Sequence, residues 1–445
     1  MYQKIIQKLR DKYIAILGFG MEGKSTYSFI RKHLPNQKLA ILDAVTIKYE
    51  PFKNDHNLEF VFGPTYLDNL DKYDLIIKTP GVSLIHQDTT LYKDKITSQL
   101  DLFLEVYKDQ TIGVTGTKGK STTTTLIYQI LKEQGKDVYL LGNIGKAILD
   151  DIELFNKDSI MVIEMSALQL EYSKISPHIG IIVNLYQDHL DHAGSVKHYH
   201  ENKLNILKYQ TKNDIGIYAS DNKYLKEYMK QNIYKSKLYT VSLNEQSDIY
   251  IKDNYVYLKD KQLYDINSNR TLKGDYNLEN IMFVLFISEL YNLDINKTKE
   301  IINNFKTLPH RLEKVGTYND ITYYDDAIST IPEATINAVK ALGSVDTLII
   351  GGMDRGVDNS ELVKFLNDSN ITNIICMPKT GHDIAKVLKR ETIIVDTLDQ
   401  AVKIAKEKTK INSICLMSPG ASSYEYFKNY IEKGNKYQEL VKNDN

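Results

Sequence analysis

The chain has 445 residues, which at roughly 150 residues per domain allows about three domains with separate cores. Its 56 Lys and Arg residues balance 57 Asp and Glu residues, so a net charge of −1 excludes the bulk attraction of a nucleic-acid or anionic-membrane binder. No apolar run approaches the roughly 18 residues of a membrane span. The two cysteines, Cys376 and Cys415, lie in apolar runs and do not suggest a disulfide scaffold or a cysteine metal site. We therefore expect a soluble, cytoplasmic protein with no nucleic-acid or membrane partner.

Short runs of β-branched residues alternate with segments of helical periodicity, which is typical of parallel sheets covered by helices. A helix is expected to start at Ser121 and to end at Gly135. Three zones share this rhythm, so we predict an α/β fold with a Rossmann-like N-terminal domain (1–108), a central P-loop ATPase-like domain (109–308) and a Rossmann-like C-terminal domain (309–445). The predicted strands are Tyr13–Leu17, Leu39–Asp43, Leu58–Phe62, Asp74–Lys78, Thr111–Thr115, Val138–Gly142, Ser159–Glu164, Ile179–Asn184, several within Leu238–Ile266, and then Thr347–Gly351, Asn373–Met377, Thr392–Asp396 and Ser413–Met417.

Two glycine-rich segments, each between a predicted strand and a predicted helix, have the composition of phosphate-binding loops. The first, GFGMEGKS, fits G-x-G-x-x-G through Gly18, Gly20 and Gly23, and it also fits the strict P-loop pattern. The second, TGTKGKST (Thr115–Thr122), keeps the Gly-Lys-Ser core but is too short for that pattern. A pattern search alone would therefore place ATP at the first loop.

The side chains at the following strand ends favour the opposite assignment. A triphosphate needs Mg²⁺, and Mg²⁺ needs hard oxygen ligands beyond the loop hydroxyl. After the second loop, one strand ends in Glu164 and a later one leads to Asp188 and His189. After the first loop, the strand ends offer Asp43 and Lys78, and a lysine would repel the cation. We therefore predict ATP at the second loop and a nucleotide diphosphate at the first, where Asp43 would read the ribose or base.

In the second loop, backbone N–H groups at a helix N-terminus would face the phosphates. The Lys120 ammonium would reach the β- and γ-phosphates, and a hydroxyl of Ser121 or Thr122 would contact Mg²⁺. The alternative is a plain glycine turn capped by Ser121. The residues predicted to bind ATP here are Gly116, Thr117, Lys118, Gly119, Lys120, Ser121 and Thr122.

Nine segments stand in order along nearly the whole chain: TGTKGKST (115–122), GNIG (142–145), EMSALQLE (164–171), DHLDH (188–192), ENKLNI (201–206), GDYNLEN (274–280), PHRLE (309–313), GGMDRG (351–356) and SPGASSYEYFKNY (418–430). In this order and spacing they resemble the Mur ligases, the ATP-dependent amino-acid ligases of peptidoglycan precursor synthesis. The resemblance is strongest to the branch that adds glutamate to UDP-N-acetylmuramoyl-L-alanine. It implies that ATP converts the substrate carboxylate to an acyl phosphate, which the incoming amine attacks. We expect a monomer.

The resemblance also implies a two-Mg²⁺ centre. Ser121, Glu164 and His189 would be metal ligands, and Lys203 matches a lysine that the family carbamylates, which turns a cation into an oxygen ligand. The catalytic residues would then be Lys120, His189 and Lys203. From the residues alone, a solvated helix lysine is the favoured interpretation of Lys203, and only the resemblance reverses it. A zinc site is the alternative for the local histidines, but their spacing fits no zinc pattern, and we expect His192, His198 and His200 to be solvated.

Further contacts follow from the resemblance in the same way. Asn277 would contact the adenine, Arg311 the phosphates and Asp326 the ribose, although a helix cap, a surface cation and a strand-end cap are simpler interpretations. The UDP-substrate contacts would be Gly18, Gly20, Gly23, Asp43, Thr79, Pro80, Gly81 and Asn143, and the glutamate contacts Thr330, Arg355, Ser423 and Tyr424.

One departure concerns the amino-acid substrate. Ile328 stands where well-known relatives carry a lysine that meets glutamate. The carboxylates would then rest on the remaining groups, with Arg355 binding in bidentate fashion. D-glutamate is favoured and L-glutamate stays open. The sequence also leaves open a folylpolyglutamate-type ligase, an NAD-dependent oxidoreductase that uses the first loop, and a non-catalytic nucleotide-binding regulator.

Overall fold

The computed structural model describes residues 1–144, 146–188 and 194–443. Over these residues the chain forms three β-sheets, and the α/β class is as predicted. No helix in these ranges is long and apolar enough to cross a bilayer. The predicted domain boundaries at 108/109 and 308/309 stay predictions. The chain divides into two compact units, of which the first holds the described residues of Met1–Tyr186, His192–Asp265 and Asn280–Lys299, and the second those of Gln187–Asp191, Ile266–Glu279 and Glu300–Asn445.

The first sheet is parallel throughout. Its elements are α1 (Gln3–Leu9), β1 (Ile14–Leu17), α2 (Met21–His33), β2 (Leu39–Asp43), β3 (Leu58–Phe62), β4 (Leu75–Lys78), β5 (Ile96–Thr97) and α3 (Gln99–Tyr107), with short 3-10 turns at Glu50–Asn54, Leu70–Lys72 and Lys93–Lys95. The strand order is β3-β2-β1-β4-β5, and β1 and β4 are buried along their whole length. Because the order reverses between β1 and β4, the loops that follow these strands diverge and leave a crevice.

The second sheet is larger and mixed. Its elements are β6 (Thr111–Thr115), α4 (Lys120–Glu133), β7 (Val138–Gly142), β8 (Ile160–Glu164), α5 (Ala167–Leu170), β9 (Ile179–Ile182), α6 (Val196–Lys208), β10 (Ile215–Ala219), α7 (Lys223–Gln231), β11 (Lys237–Ser242), β12 (Ile249–Lys252), β13 (Tyr255–Leu258) and β14 (Lys261–Asp265), with 3-10 turns at Lys108–Gln110 and Ile152–Leu154. The order is β14-β13-β12-β11-β10-β9-β6-β8-β7, and only β13 runs antiparallel to its neighbours. The second glycine loop follows β6, between β8 and β9, so it shares its sheet edge with Glu164. The helices α8 (Asp275–Leu290) and α9 (Ile295–Asn304) follow.

The third sheet has hydrophobic clusters that include its central strands. Its elements are β15 (Glu313–Tyr318), β16 (Ile321–Asp325), α10 (Pro332–Leu342), β17 (Thr347–Ile350), α11 (Ser360–Asp368), β18 (Asn373–Cys376), α12 (Thr380–Val387), β19 (Ile393–Ile394), α13 (Leu398–Lys408), β20 (Ile414–Met417) and α14 (Tyr430–Lys442). The order is β15-β16-β20-β17-β18-β19, parallel except for β15. Cys376 and Cys415 are buried free thiols, as the prediction of no disulfide requires.

Candidate active site

The second glycine loop joins β6, inside the second sheet, to helix α4. Gly119 has φ +82°, in the left-handed region, and a Cβ there would lie 2.5 Å from Asn280 Oδ1, so the position requires glycine. The N–H groups of Thr117 and Lys118 donate to the main-chain and side-chain oxygens of Asn184, at 3.0 and 2.9 Å. The prediction that N–H groups from Gly116 to Lys120 face the phosphates stays a prediction, and in this structure Asn184 accepts the N–H groups of Thr117 and Lys118.

The first turn of α4 carries the predicted phosphate and magnesium contacts. Lys120 Nζ donates to the carbonyl of Thr117 at 3.0 Å, so the side chain folds back over the loop. Ser121 and Thr122 are buried in the same turn. Helix α4 has 14 residues, and the N-terminus of such a helix attracts an anion through its free N–H groups and its dipole. The loop therefore has the charge and shape for phosphate.

Glu164 is a buried carboxylate at the carboxyl end of β8. Its Oε1 accepts a hydrogen bond from Asn143 Nδ2 at 2.7 Å. No donor among the described residues reaches its buried Oε2. A buried carboxylate oxygen without a donor is costly unless a cation or another group satisfies it. This oxygen fits the ligand set of a divalent cation, and His189, the other predicted ligand, lies outside the described residues.

Lys203 extends from α6 into the base of the second glycine loop. It is 1% exposed, its Nζ donates to the carbonyl of Gly116 at 2.8 Å, and it lies 4.6 Å from the ring centroid of Tyr199. The interpretation of Lys203 as a solvated helix lysine is therefore wrong. A carbamylated lysine keeps one hydrogen on Nζ, so the bond to Gly116 is compatible with the modification.

A cleft of about 340 Å³ lies between the first glycine loop and the ends of β4 and β7. Its wall includes seven of the eight residues predicted to contact the UDP-substrate. The eighth, Gly23, packs inside the loop, where a Cβ would meet the carbonyl of Gly18 at 2.3 Å. The seven lining residues are Gly18, Gly20, Asp43, Thr79, Pro80, Gly81 and Asn143.

Asp43 supports the first loop as well as lining the cleft. Its Oδ2 accepts the Phe19 N–H at 2.8 Å and its Oδ1 accepts the Val45 N–H at 3.1 Å. Lys24, which follows Gly23 in the sequence, is exposed and lies over the ring of Tyr49 at 5.7 Å. Its ammonium therefore contacts an aromatic face at the surface and does not line the cleft.

Asp326 lies at the end of β16 in the third sheet and is buried. Its Oδ2 accepts hydrogen bonds from the hydroxyls of Ser329 and Ser418, and its Oδ1 accepts the Leu312 N–H at 3.0 Å. Burial raises the pKa of Asp326 to about 6, against these hydrogen bonds. The carboxylate therefore links the segments that contain Leu312, Ser329 and Ser418. Arg311, the residue before Leu312, is half-buried.

Two of the four predicted glutamate contacts lie together. The Arg355 guanidinium carbon is 5.4 Å from the ring centroid of half-exposed Tyr424, and Nη1 is 3.8 Å from Asp188 Oδ1. Ser423 is buried, and its hydroxyl has no partner among the described residues. Thr330 is half-buried in the turn that precedes α10. The pair of Arg355 and Tyr424 therefore forms the part of the predicted glutamate site that the structure brings into contact.

Asn277, the predicted adenine contact, is buried in the first turn of α8. Its Nδ2 donates to the Lys273 carbonyl at 2.8 Å, so the asparagine also stabilises the start of the helix. The simpler interpretation as a local helix contact therefore has structural support, and it does not conflict with a ligand contact.

Comparison with known proteins gives full-length matches. A family model described as the Mur ligase middle domain matches residues 114–288. A UDP-N-acetylmuramoylalanine–D-glutamate ligase from Oenococcus oeni is 30% identical over 444 residues, which is 98% of this chain and 98% of that protein. A protein of the same name from Clostridium tetani is 29% identical and covers 97% of each chain. This chain belongs to the Mur ligase family.

The fold of this Mur ligase agrees with a solved relative. The UDP-N-acetylmuramate-alanine ligase from Thermotoga maritima matches with a TM-score of 0.59 at 20% identity, over 96% of this chain and 98% of that one. Mur ligases are ATP-dependent amide ligases, so the predicted class of enzyme is confirmed. The hypotheses of an oxidoreductase and of a non-catalytic regulator are thereby set aside.

Sequence reasoning missed two residues of this Mur ligase and misjudged a third. Asn184 and Asn280 shape the second glycine loop, and a signal for Asn184 was its position as the last residue of the predicted strand Ile179–Asn184. The prediction that His200 is solvated is wrong, because the ring is fully buried, with Nε2 donating to the Tyr186 carbonyl at 3.1 Å. His198 Nε2 lies 3.3 Å from a carboxylate oxygen of Glu171, and His192 is outside the described residues. Among the described residues, the group of three side chains with metal-ligand spacing is His310, Glu313 and Asp325. His310 Nδ1 lies 2.7 Å from Asp325 Oδ2, and the His310 backbone N–H donates to Glu313 Oε2 at 2.8 Å.

Proposed function

We propose that this Mur ligase joins the amine of D-glutamate to the carboxyl of UDP-N-acetylmuramoyl-L-alanine and converts ATP to ADP and phosphate. The two relatives described above carry this activity in their names, and they match along nearly the whole chain. The structural observation that carries the proposal is Glu164. One of its oxygens holds Asn143 in the wall of the first cleft, and the other is buried without a described donor at the edge that bears the second loop.

Two Mg²⁺ ions belong to the proposal. Ser121, Glu164 and His189 would hold one, and a carbamate on Lys203 would organise the second. The cations would neutralise charge on the transferring phosphoryl group. Carbamylation would replace the positive charge of buried Lys203 with a negative carbamate that a cation could neutralise, and Nζ would keep its bond to Gly116.

The reaction is a displacement at phosphorus followed by one at carbon. An oxygen of the substrate carboxylate forms a bond to the γ-phosphorus while the bond to ADP breaks, with Lys120 compensating the charge. The glutamate nitrogen then attacks the acyl carbon and loses a proton. The bond between the acyl carbon and the phosphate oxygen breaks, and inorganic phosphate leaves. Positioning and cations supply most of the acceleration in such reactions.

Each substrate has a proposed site. The first cleft takes the UDP moiety, the second loop takes the triphosphate, and Arg355 takes a glutamate carboxylate beside Tyr424. Asn277, Arg311 and Asp326 are proposed to meet the adenosine and phosphates, with Thr330 and Ser423 completing the glutamate site. We also propose that the enzyme acts in the cytoplasm as a monomer, which sedimentation of the purified protein tests.

The decisive experiment is phosphate release by the purified enzyme with defined substrate combinations. Release should require ATP, Mg²⁺, UDP-N-acetylmuramoyl-L-alanine and D-glutamate together. Release with L-glutamate instead would assign the other stereochemistry, consistent with Ile328 in place of the family lysine. Release with a folate acceptor, or none with any acceptor, would refute the proposal.

A further inference from the structure

The first cleft has an unusual charge for a site that would hold a pyrophosphate. Glu22 and Asp43 both line it, and none of its described lining residues is Lys, Arg or His. A bound nucleotide sugar brings two phosphate charges into the same space, and like charges at short range repel strongly outside bulk water. The cleft therefore needs a way to reduce its own negative charge when the ligand enters.

Asp43 is not the group that has to change. Both of its oxygens already accept backbone N–H groups, those of Phe19 and Val45. The carboxylate of Asp43 is therefore occupied by the backbone of its own loop, and Glu22 is the other acidic residue of the lining.

Glu22 lies in the first turn of α2, a helix of 13 residues whose N-cap is Gly20. Because the N-cap residue is a glycine, it has no side chain that could cap this helix N-terminus through a hydrogen bond. The positive end of a helix dipole stabilises either an acidic side chain of the first turn or a bound phosphate. Glu22 is the acidic side chain of this first turn.

The side chain of Glu22 is held by Gln169 of α5, the helix that follows β8 of the second sheet. Its Oε1 accepts a hydrogen bond from Gln169 Nε2 at 2.6 Å. The amide of Gln169 is itself oriented, because its Oε1 accepts the Ser166 N–H at 2.9 Å in a capping box at the start of α5. Glu22 is therefore held against the cleft wall and does not extend freely into solvent.

The charged groups around Glu22 do not neutralise it. Lys78, at the end of β4, is buried and its Nζ lies 3.2 Å from Glu171 Oε2. His198 of α6 contacts the other oxygen of Glu171 at 3.3 Å, and Asp43 faces the cleft from the end of β2. Burial raises the pKa of Glu22, while the bond from Gln169 and the charge of Lys78 lower it less.

We propose that Glu22 sets the affinity of this cleft for a nucleotide diphosphate. As a carboxylate it competes with the pyrophosphate for the N-terminus of α2, and the ligand binds to the form in which Glu22 carries a proton. Binding is then coupled to the uptake of one proton. This inference rests on the proposed function, which places the UDP moiety in the cleft.

The test uses UDP-N-acetylglucosamine, whose pyrophosphate diester has no proton to exchange near neutral pH. Calorimetric titration of the wild-type chain in buffers of different ionisation enthalpy should show proton uptake, and affinity should fall by up to about tenfold for each pH unit where Glu22 is ionised. Glu22→Gln keeps an acceptor for Gln169 and loses the charge. It should bind at least about tenfold more tightly near pH 8, without proton uptake and without the pH dependence.

A matched control removes the same charge from the 3-10 turn Glu50–Asn54, between β2 and β3. Glu50 is exposed and pairs with Lys53, so Glu50→Gln should behave as the wild-type chain. Equal affinity and equal proton uptake in the wild type and Glu22→Gln would overturn the inference. The wild-type proton uptake is informative even if the variant folds poorly. Absence of binding by both proteins at every pH would instead overturn the assignment of the cleft, and with it the proposed function.

Discussion

Acidification should destabilise this Mur ligase through His200, an imidazole on α6 with 0% exposure. Burial is the main cause that lowers the pKa of His200 to about 4 from its ordinary value of 6.5, and the positive charge of an unmodified Lys203 acts in the same direction. The hydrogen bond to the Tyr186 carbonyl acts in the opposite direction. The folded chain therefore keeps the ring neutral at a pH where the unfolded chain protonates it.

The sign and size follow from proton linkage. Because the unfolded state binds the proton first, stability is complete above pH 6.5, falls with decreasing pH, and levels off below about pH 4. The pKa of His200 differs between 6.5 in the unfolded chain and about 4 in the folded chain. At about 1.4 kcal/mol per pH unit, this difference lowers the free energy of unfolding by about 3 kcal/mol. About 2 kcal/mol of this should be lost between about pH 7 and about pH 5.

Urea unfolding followed by circular dichroism measures this loss, since the chain has no tryptophan for fluorescence. His200→Gln keeps a donor for the Tyr186 carbonyl and carries no charge at any pH, so its stability should vary about 2 kcal/mol less than the wild type over the same interval. His56→Gln removes an exposed imidazole and should match the wild type. Identical pH dependence in the wild type and His200→Gln would refute the reasoning.

Three further predictions address the proposed site. Lys120→Ala should abolish phosphate release. Lys24→Ala, in the other Gly-Lys-Ser segment, should keep turnover at saturating substrate. The reverse result in a steady-state assay would place ATP at the first loop and the UDP moiety at the second. Lys203→Ala should lose activity and regain part of it with a small carboxylate such as formate or acetate, and failure of every carboxylate tried would argue against a carbamate. Arg355→Lys should raise the KM for glutamate by about tenfold or more with little change in the KM for ATP, because lysine cannot bind a carboxylate in bidentate fashion. An equal rise in both KM values would remove Arg355 from the glutamate site.

The strands were the most predictable part of the fold. The limits of β2, β3, β6 and β7 agree with the predicted runs to the residue, and α4 ends at Glu133, before Gly135 with its φ of +80°. Strands β2 and β6 are readable because a buried strand is a continuous apolar run between polar turns. The amphipathic helix α1, Gln3–Leu9, was not predicted, since seven residues carry too little periodicity.

The burial of polar side chains was not predictable from their local sequence. His200 stands in a polar segment, and its burial comes from packing against Tyr224 and Tyr228 of α7, which periodicity within α6 does not reveal. Glu22 and Gln169 are 147 positions apart, so their hydrogen bond exists only once two sheets have formed. The residues that could be located in advance were those whose role follows from a loop or a strand end, such as Glu164.

The contact between Glu164 and Asn143 has a consequence for how the substrates assemble. One oxygen of the Glu164 carboxylate accepts a hydrogen bond from Asn143 in the wall of the first cleft. The other oxygen is buried at the sheet edge that bears the second loop. A ligand of the first cleft that breaks the bond from Asn143 would change how the Glu164 carboxylate binds a cation. Thermodynamic reciprocity then requires that the cation change the affinity for that ligand by the same factor. Dissociation constants for UDP-N-acetylglucosamine measured with and without Mg²⁺-nucleotide should therefore differ, and Asn143→Ala should bring the two values together.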